Sequence, residues 1–206
     1  MTQPLIKVPP LSVRRYGPGE EVTDPQPGDF ILTHNATWSA KLVQFGQKLR
    51  YHGAASKYTR WNHTALIVDN QGSIIEALGR GISQTHLSDY KPTEYYVVHI
   101  DATEADRQEA VAFARACLGV PYGWLTLVSI ALSLLTGTKF SFGFDGQQIC
   151  SGLVARSLER TNAIFEPEPS HIMPAYLAKY YEVEPPPPGT PTRAPASKPR
   201  LASIAG

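Results

Sequence analysis

Cysteine and net charge are what this chain has least of. Its 206 residues hold two cysteines, Cys117 and Cys150. Two are too few for a disulfide scaffold, and they make no metal signature, because neither has a second Cys or His at ligand spacing. The 19 Lys and Arg stand against 18 Asp and Glu, a formal charge of +1. With so little excess of either sign, the overall charge makes no case for nucleic acid or an anionic membrane as the main partner. Long apolar runs are missing too. The most apolar stretch, WLTLVSIALSLL from Trp124 to Leu135, falls well short of the roughly 20 residues that cross a bilayer. It reads as a buried helix, with peripheral contact to lipid or an acyl chain as the alternative. The opening MTQPLIKVPPLSVRRYGPGE has no secretory pattern, because prolines break its apolar residues and its arginines follow rather than lead. Residence in a cytoplasm is the default expectation.

What is present points to one α+β domain between two weakly structured ends. Residues 1–25 are rich in Pro, Gly and charge and read as a loosely ordered arm. Residues 184–206, EPPPPGTPTRAPASKPRLASIAG, lack the apolar content of a core and read as a Pro-rich disordered tail. Between them, 26–183 alternate short strand and helix patterns. GDFILTH, HTALIVD, SIIEAL and EYYVVHID read as strands, the middle two joined by the turn-forming Asp69-Asn70-Gln71-Gly72. TWSAKLVQFGQKLR has Trp38, Leu42, Phe45 and Leu49 at helical spacing. TEADRQEAVAFARACLG is a helix capped by Thr103, acidic in its first turn and stopped by Gly119, with Ala110, Ala114, Cys117 and Leu118 on its apolar side. This position makes Cys117 a core filler. ICSGLVARSLERTN is a further helix, and MPAYLAKYYEV adds a last short helix or strand. The sum is a small antiparallel sheet with helices packed against it.

Cys150 stands where a helix begins. A thiol in a first helical turn faces free backbone N–H groups and the positive end of the dipole, which favour thiolate and can hold a developing oxyanion. Gly152 beside it lets another backbone or a substrate come close. The matching base is His63, at the mouth of an apolar strand, and its orienting partner is Glu76. If the loop joining the two strands is Asn70-Gln71, then Asp69 pairs with Gly72, Ala65 faces Glu76 and His63 faces Leu78. Side chains alternate, so His63 and Glu76 then share a face as diagonal neighbours, within reach of a carboxylate–imidazole bond. A loop one residue longer or shorter would put them on opposite faces. His86 is the reserve orienting group. Each residue also has a plainer explanation: an inert buried cysteine, a histidine satisfied by one hydrogen bond, a solvated glutamate.

Four segments in order resemble a known family. CSGLV at Cys150–Val154 is similar to the nucleophile motif of NlpC-type cysteine peptidases, a papain-like branch; GVPYGW at Gly119–Trp124 is similar to the segment that precedes it there. NHTALIVD…SIIEA resembles the family's histidine strand and the strand that follows, and PGDFILTH resembles the strand that opens permuted members. The histidine segment precedes the cysteine segment, an order similar to the circularly permuted branch that includes the lecithin:retinol acyltransferase-like proteins. The resemblance implies a permuted papain-like fold and a thiol hydrolase that cleaves an amide or ester through an acyl-enzyme. Its triad would be Cys150, His63 and Glu76, with Tyr122 and Ser151 at the oxyanion and substrate position and no metal or organic cofactor. A peptide, including a cell-wall peptide, is the favoured substrate, and an acyl-lipid is the alternative. Ile149 stands where the unpermuted family has Asp. A different class of function also fits: a non-catalytic binding module whose PPPPGTP tail docks on a partner.

Overall fold

The computed structural model describes residues 10–34, 38–79, 81–120, 150–161, 163–168 and 171–184. Tyr122, the apolar run 124–135 and the tail from 185 onward lie outside them.

Six strands form one antiparallel sheet: β1 (Pro10–Tyr16), β2 (Phe30–Thr33), β3 (His63–Ile67), β4 (Ser73–Leu78), β5 (Gly81–His86) and β6 (Tyr95–Ile100), in spatial order β1-β6-β2-β3-β4-β5. Among the described residues four α-helices accompany it: α1 (Trp38–Arg50), α2 (Glu104–Ala116), α3 (Cys150–Leu158) and α4 (Pro174–Tyr180). A 3-10 segment, Gly53–Arg60, leads into β3, and a 3-10 turn, Leu87–Tyr90, follows β5.

Alternation sorts the strands into two faces. Phe30, Leu32, Leu66, Val68, Ile75, Ala77, Val98 and Ile100 face the helices, where Ala114 of α2, Leu153 and Val154 of α3 and Leu177 of α4 complete the main core. Ile31, Ala65, Ile67, Ile74, Tyr95 and Val97 face the other way and are covered by Tyr16, Leu87 and Tyr90. Every residue of β3 is buried, which is why it reads as a continuous apolar run rather than an alternating one.

At the start of β2, Asp29 is fully buried and accepts from the Ile100 backbone N–H at 3.0 Å, from His99 Nδ1 at 2.6 Å and from Arg107 at 2.8 Å. The same guanidinium donates to the Pro27 carbonyl at 2.8 Å. Gly28 makes room for it: at φ +87° a Cβ here would lie 3.1 Å from Arg107 Cγ. This clasp ties β2, β6 and α2 together at the sheet end away from His63.

Three expectations change. Pro10–Tyr16, read as part of a loose arm, is the edge strand paired with β6, where register from Pro10↔Ile100 to Tyr16↔Tyr95 gives its backbone partners. An exposed edge strand with a proline and two arginines has none of the alternation that marks a half-buried strand. On α1, Phe45 and Leu49 point outward, 50% and 37% exposed. Its inward side is Ala40, Val43 and Gln47. On α2, Ala110 and Ala114 are buried as expected, but Leu118 is 41% exposed, because it lies past the helix end in the turn before Gly119.

Candidate active site

The β3–β4 hairpin closes as its loop chemistry requires. Asp69 Oδ1 accepts from the Gln71 and Ser73 backbone N–H groups, each at 2.9 Å, and Gly72 takes φ +91°. The strands pair Leu66↔Ile75 and Ile67↔Ile74. Continued by one residue, that register puts Ala65 opposite Glu76, and His63 and Glu76 on one face. The ring and the carboxylate meet there: His63 Nε2 donates to Glu76 Oε2 at 2.5 Å.

Glu76 is 1% exposed, so its charge must be met by donors from within the protein. The Tyr90 hydroxyl donates to Oε2 at 2.5 Å, and the Thr85 hydroxyl donates to Oε1. Burial works against ionisation of this carboxylate, but the His63 imidazolium and the two hydroxyls overcome it and lower its pKa to about 2. The Tyr90 ring also stacks on His63, 6.3 Å between centroids and 11° between planes. The imidazole is thus fixed by a bond at one nitrogen and by a ring against its face.

Cys150 is the first residue of α3, which packs against β3 and β4. Its sulfur is a hydrogen-bonding and charge partner of the His63 imidazole. With Nε2 occupied by Glu76, Nδ1 is the nitrogen left for the sulfur. Burial disfavours the charged imidazole, yet the Cys150 sulfur and the Glu76 carboxylate outweigh it and raise its pKa to about 10. The N–H groups of the first helical turn have no acceptor within the helix, so the sulfur sits at the positive tip of α3. Cys150 keeps 3% of its surface and His63 keeps 6%.

Of the other site residues expected from sequence, Ser151 is placed elsewhere. It is fully buried and its hydroxyl donates to the Ile172 carbonyl at 2.6 Å. It straps α3 to the segment ahead of α4 instead of facing a substrate, because a buried hydroxyl with a backbone acceptor in reach is committed to it. Tyr122 lies outside the described residues. His86 is exposed and bonds the Gln71 carbonyl at 2.8 Å and Ser88 Oγ at 2.9 Å, away from Glu76. Cys117 is a core residue whose thiol pKa is pushed up by burial, with Arg156 and Arg160 opposing.

Sequence reasoning missed Thr85 and Tyr90. The signal for Thr85 was present: Glu76 pairs with Ser83 on β5, and Thr85 is the next residue on that face. Gly79 and Gly81 mark the turn that would have revealed the hairpin. Tyr90 had no local signal, since only the 3-10 turn after β5 brings its hydroxyl back across the sheet. Among the described residues no helix is long and apolar enough to cross a membrane. No family model matches the chain, and no curated protein matches it.

Proposed function

We propose that this protein is a thiol hydrolase of permuted papain-like type, cleaving an amide or ester bond through Cys150, His63 and Glu76. The observation that carries the reading is the continuous chain from the buried Glu76 carboxylate through His63 to the sulfur at the tip of α3. Three residue types in one hydrogen-bonded line, with the middle one braced by Tyr90, is more than any plainer role for each residue requires.

In this reading the Cys150 thiolate attacks the carbonyl carbon and a C–S bond forms. The oxyanion is received by N–H groups of the first turn of α3. The His63 imidazolium passes its proton to the leaving amine or alkoxide, and the C–N or C–O bond breaks. Neutral His63 then takes a proton from water as it adds to the acyl-enzyme, and the thiolate departs to restore the pair. Glu76 holds the ring in one orientation and stabilises its positive charge throughout.

Peptide amides are the first substrates to test and acyl esters the second. Wild type and Cys150→Ala are compared on a panel of both, with mass spectrometry of the quenched reaction. The expected result is turnover by wild type only, with an acyl adduct on Cys150. Equal, negligible turnover by both across the panel, with no adduct, would leave the binding-module reading in its place.

A further inference from the structure

We propose that the outer face of α1 docks this protein on an anionic lipid surface. Lys41, Phe45, Lys48 and Leu49 stand at i, i+4, i+7 and i+8, which gathers them on one side of the helix. All four are exposed, and Val43 and Gln47 on the opposite side are buried. Phe45 is half exposed and Leu49 37% exposed, the two large apolar side chains of the stripe, with a lysine before and between them. Lys41 and Lys48 make no ion pair among the described residues.

The charge of the chain as a whole conceals a segregation. Residues 30–68 contain Lys41, Lys48, Arg50, Lys57 and Arg60 and none of the 18 acidic residues, so the rest of the chain is net negative. Lys41, Lys48 and Arg50 of this set lie on α1, whereas Lys57 is paired with Glu184 at 2.6 Å. A helix face with two lysines along one flank and two large apolar side chains along the other matches the interface of an anionic bilayer: the ring and the branched chain enter the headgroup boundary and the ammonium groups stay with the phosphates. Nucleic acid fits less well, because two bulky apolar groups beside the lysines would face a hydrated phosphate backbone.

The stripe is held outward. From the inner side of α1, Gln47 Nε2 donates to the Thr59 carbonyl at 3.2 Å and to the Trp61 carbonyl at 2.8 Å, and Gln47 Oε1 accepts from the Ala175 N–H at 2.8 Å. Rolling the helix to bury Phe45 would break all three buried bonds. Trp61 is two residues ahead of His63, so α1 is fastened to the segment that enters the candidate site. The docking does not depend on the thiol chemistry; only the delivery of an acyl substrate from the surface to Cys150 rests on that reading.

The test is co-sedimentation of the full chain with vesicles of phosphatidylcholine alone and of phosphatidylcholine mixed with phosphatidylglycerol, beside binding to a short DNA duplex in the same buffer. The expected result is partition onto the anionic vesicles only, weakening as salt rises. Lys41→Gln with Lys48→Gln lowers it on the order of 20-fold, and Phe45→Ser with Leu49→Ser lowers it roughly tenfold or more. Cys150→Ala binds like wild type, which separates this outcome from any failure of the enzymatic reading. The lysine pair leaves the melting temperature unchanged, and the Phe45 and Leu49 pair lowers it only slightly, because much of each side chain is already exposed. Equal partition onto both vesicle types, absence of partition, or preference for DNA overturns the proposal. So does a large fall in melting temperature for the Phe45 and Leu49 variant, which would mean that the chain itself covers the stripe.

Discussion

Replacing Glu76 by Gln keeps the shape of the side chain and removes its charge. The amide oxygen can accept from His63 and Tyr90, and the amide N–H₂ can donate to a Thr85 hydroxyl turned to accept. The change therefore isolates the carboxylate's charge. A unit charge about 4 Å from the imidazolium at an effective dielectric of about 20 is worth about 4 kcal/mol, or about three pK units. His63, raised to about 10 in the wild type, would then titrate at roughly 7. The sign follows from both groups. A raised histidine contributes stability that is complete below its unfolded pKa, about 6.5, and is lost as pH rises through about 10. A depressed glutamate contributes stability that is present above about 4.5 and lost as pH falls through about 2. The wild type should thus exceed Glu76→Gln most between about pH 4.5 and 6.5, by up to about 4 kcal/mol. For a chain of this length that is roughly 8–16 °C in melting temperature. The difference should narrow toward pH 10. Melting curves across pH read this directly. A pH-independent difference, or none at mildly acidic pH, refutes the claim that Glu76 and His63 form a charged buried pair.

Two further substitutions separate support from chemistry. Tyr90→Phe keeps the ring stacked on His63 and removes one donor from a charged carboxylate. Denaturant unfolding should show a loss of about 1.5–3 kcal/mol, and Glu76 should titrate at higher pH. Ser151→Ala leaves the buried Ile172 carbonyl without its donor, costing about 1–3 kcal/mol in the same assay, while the pH dependence of Cys150 alkylation stays that of wild type. A shifted alkylation profile in Ser151→Ala would restore Ser151 to the site.

Local signals carried much of this fold. The strands β2, β3, β4 and β6 announce themselves by β-branched apolar runs between turn residues, and α2 by its cap, acidic first turn and terminal glycine. Even the pairing of His63 with Glu76 was legible, because the Asp69–Gly72 turn fixes the register and the register fixes the face. The rest depended on partners distant in sequence. β1 is a strand because β6 offers it an edge, and nothing in PLSVRRY itself demands one. The orientation of α1 is set by Gln47, whose amide serves carbonyls at Thr59 and Trp61 and an N–H at Ala175. A polar residue outranked Phe45 and Leu49 for the buried side, since three otherwise unsatisfied backbone groups cost more than two exposed apolar side chains. Tyr90 was invisible for a similar reason: its phenol reads as core filling until the 3-10 turn places its oxygen on Glu76. Ser151 shows the converse, a residue next to the sulfur in sequence whose hydroxyl faces away from it in space.

The central claim of the proposed function is that His63 activates the Cys150 sulfur. The most direct measurement is the rate of alkylation of Cys150 as a function of pH, in wild type and in His63→Ala, with Cys150→Ala as the background. The account predicts reaction at mildly acidic pH faster than a free cysteine of ordinary pKa would show, and loss of that acid-side reactivity in His63→Ala. Reaction that rises only near the pKa of a free thiol, with the same profile in both proteins, would contradict it.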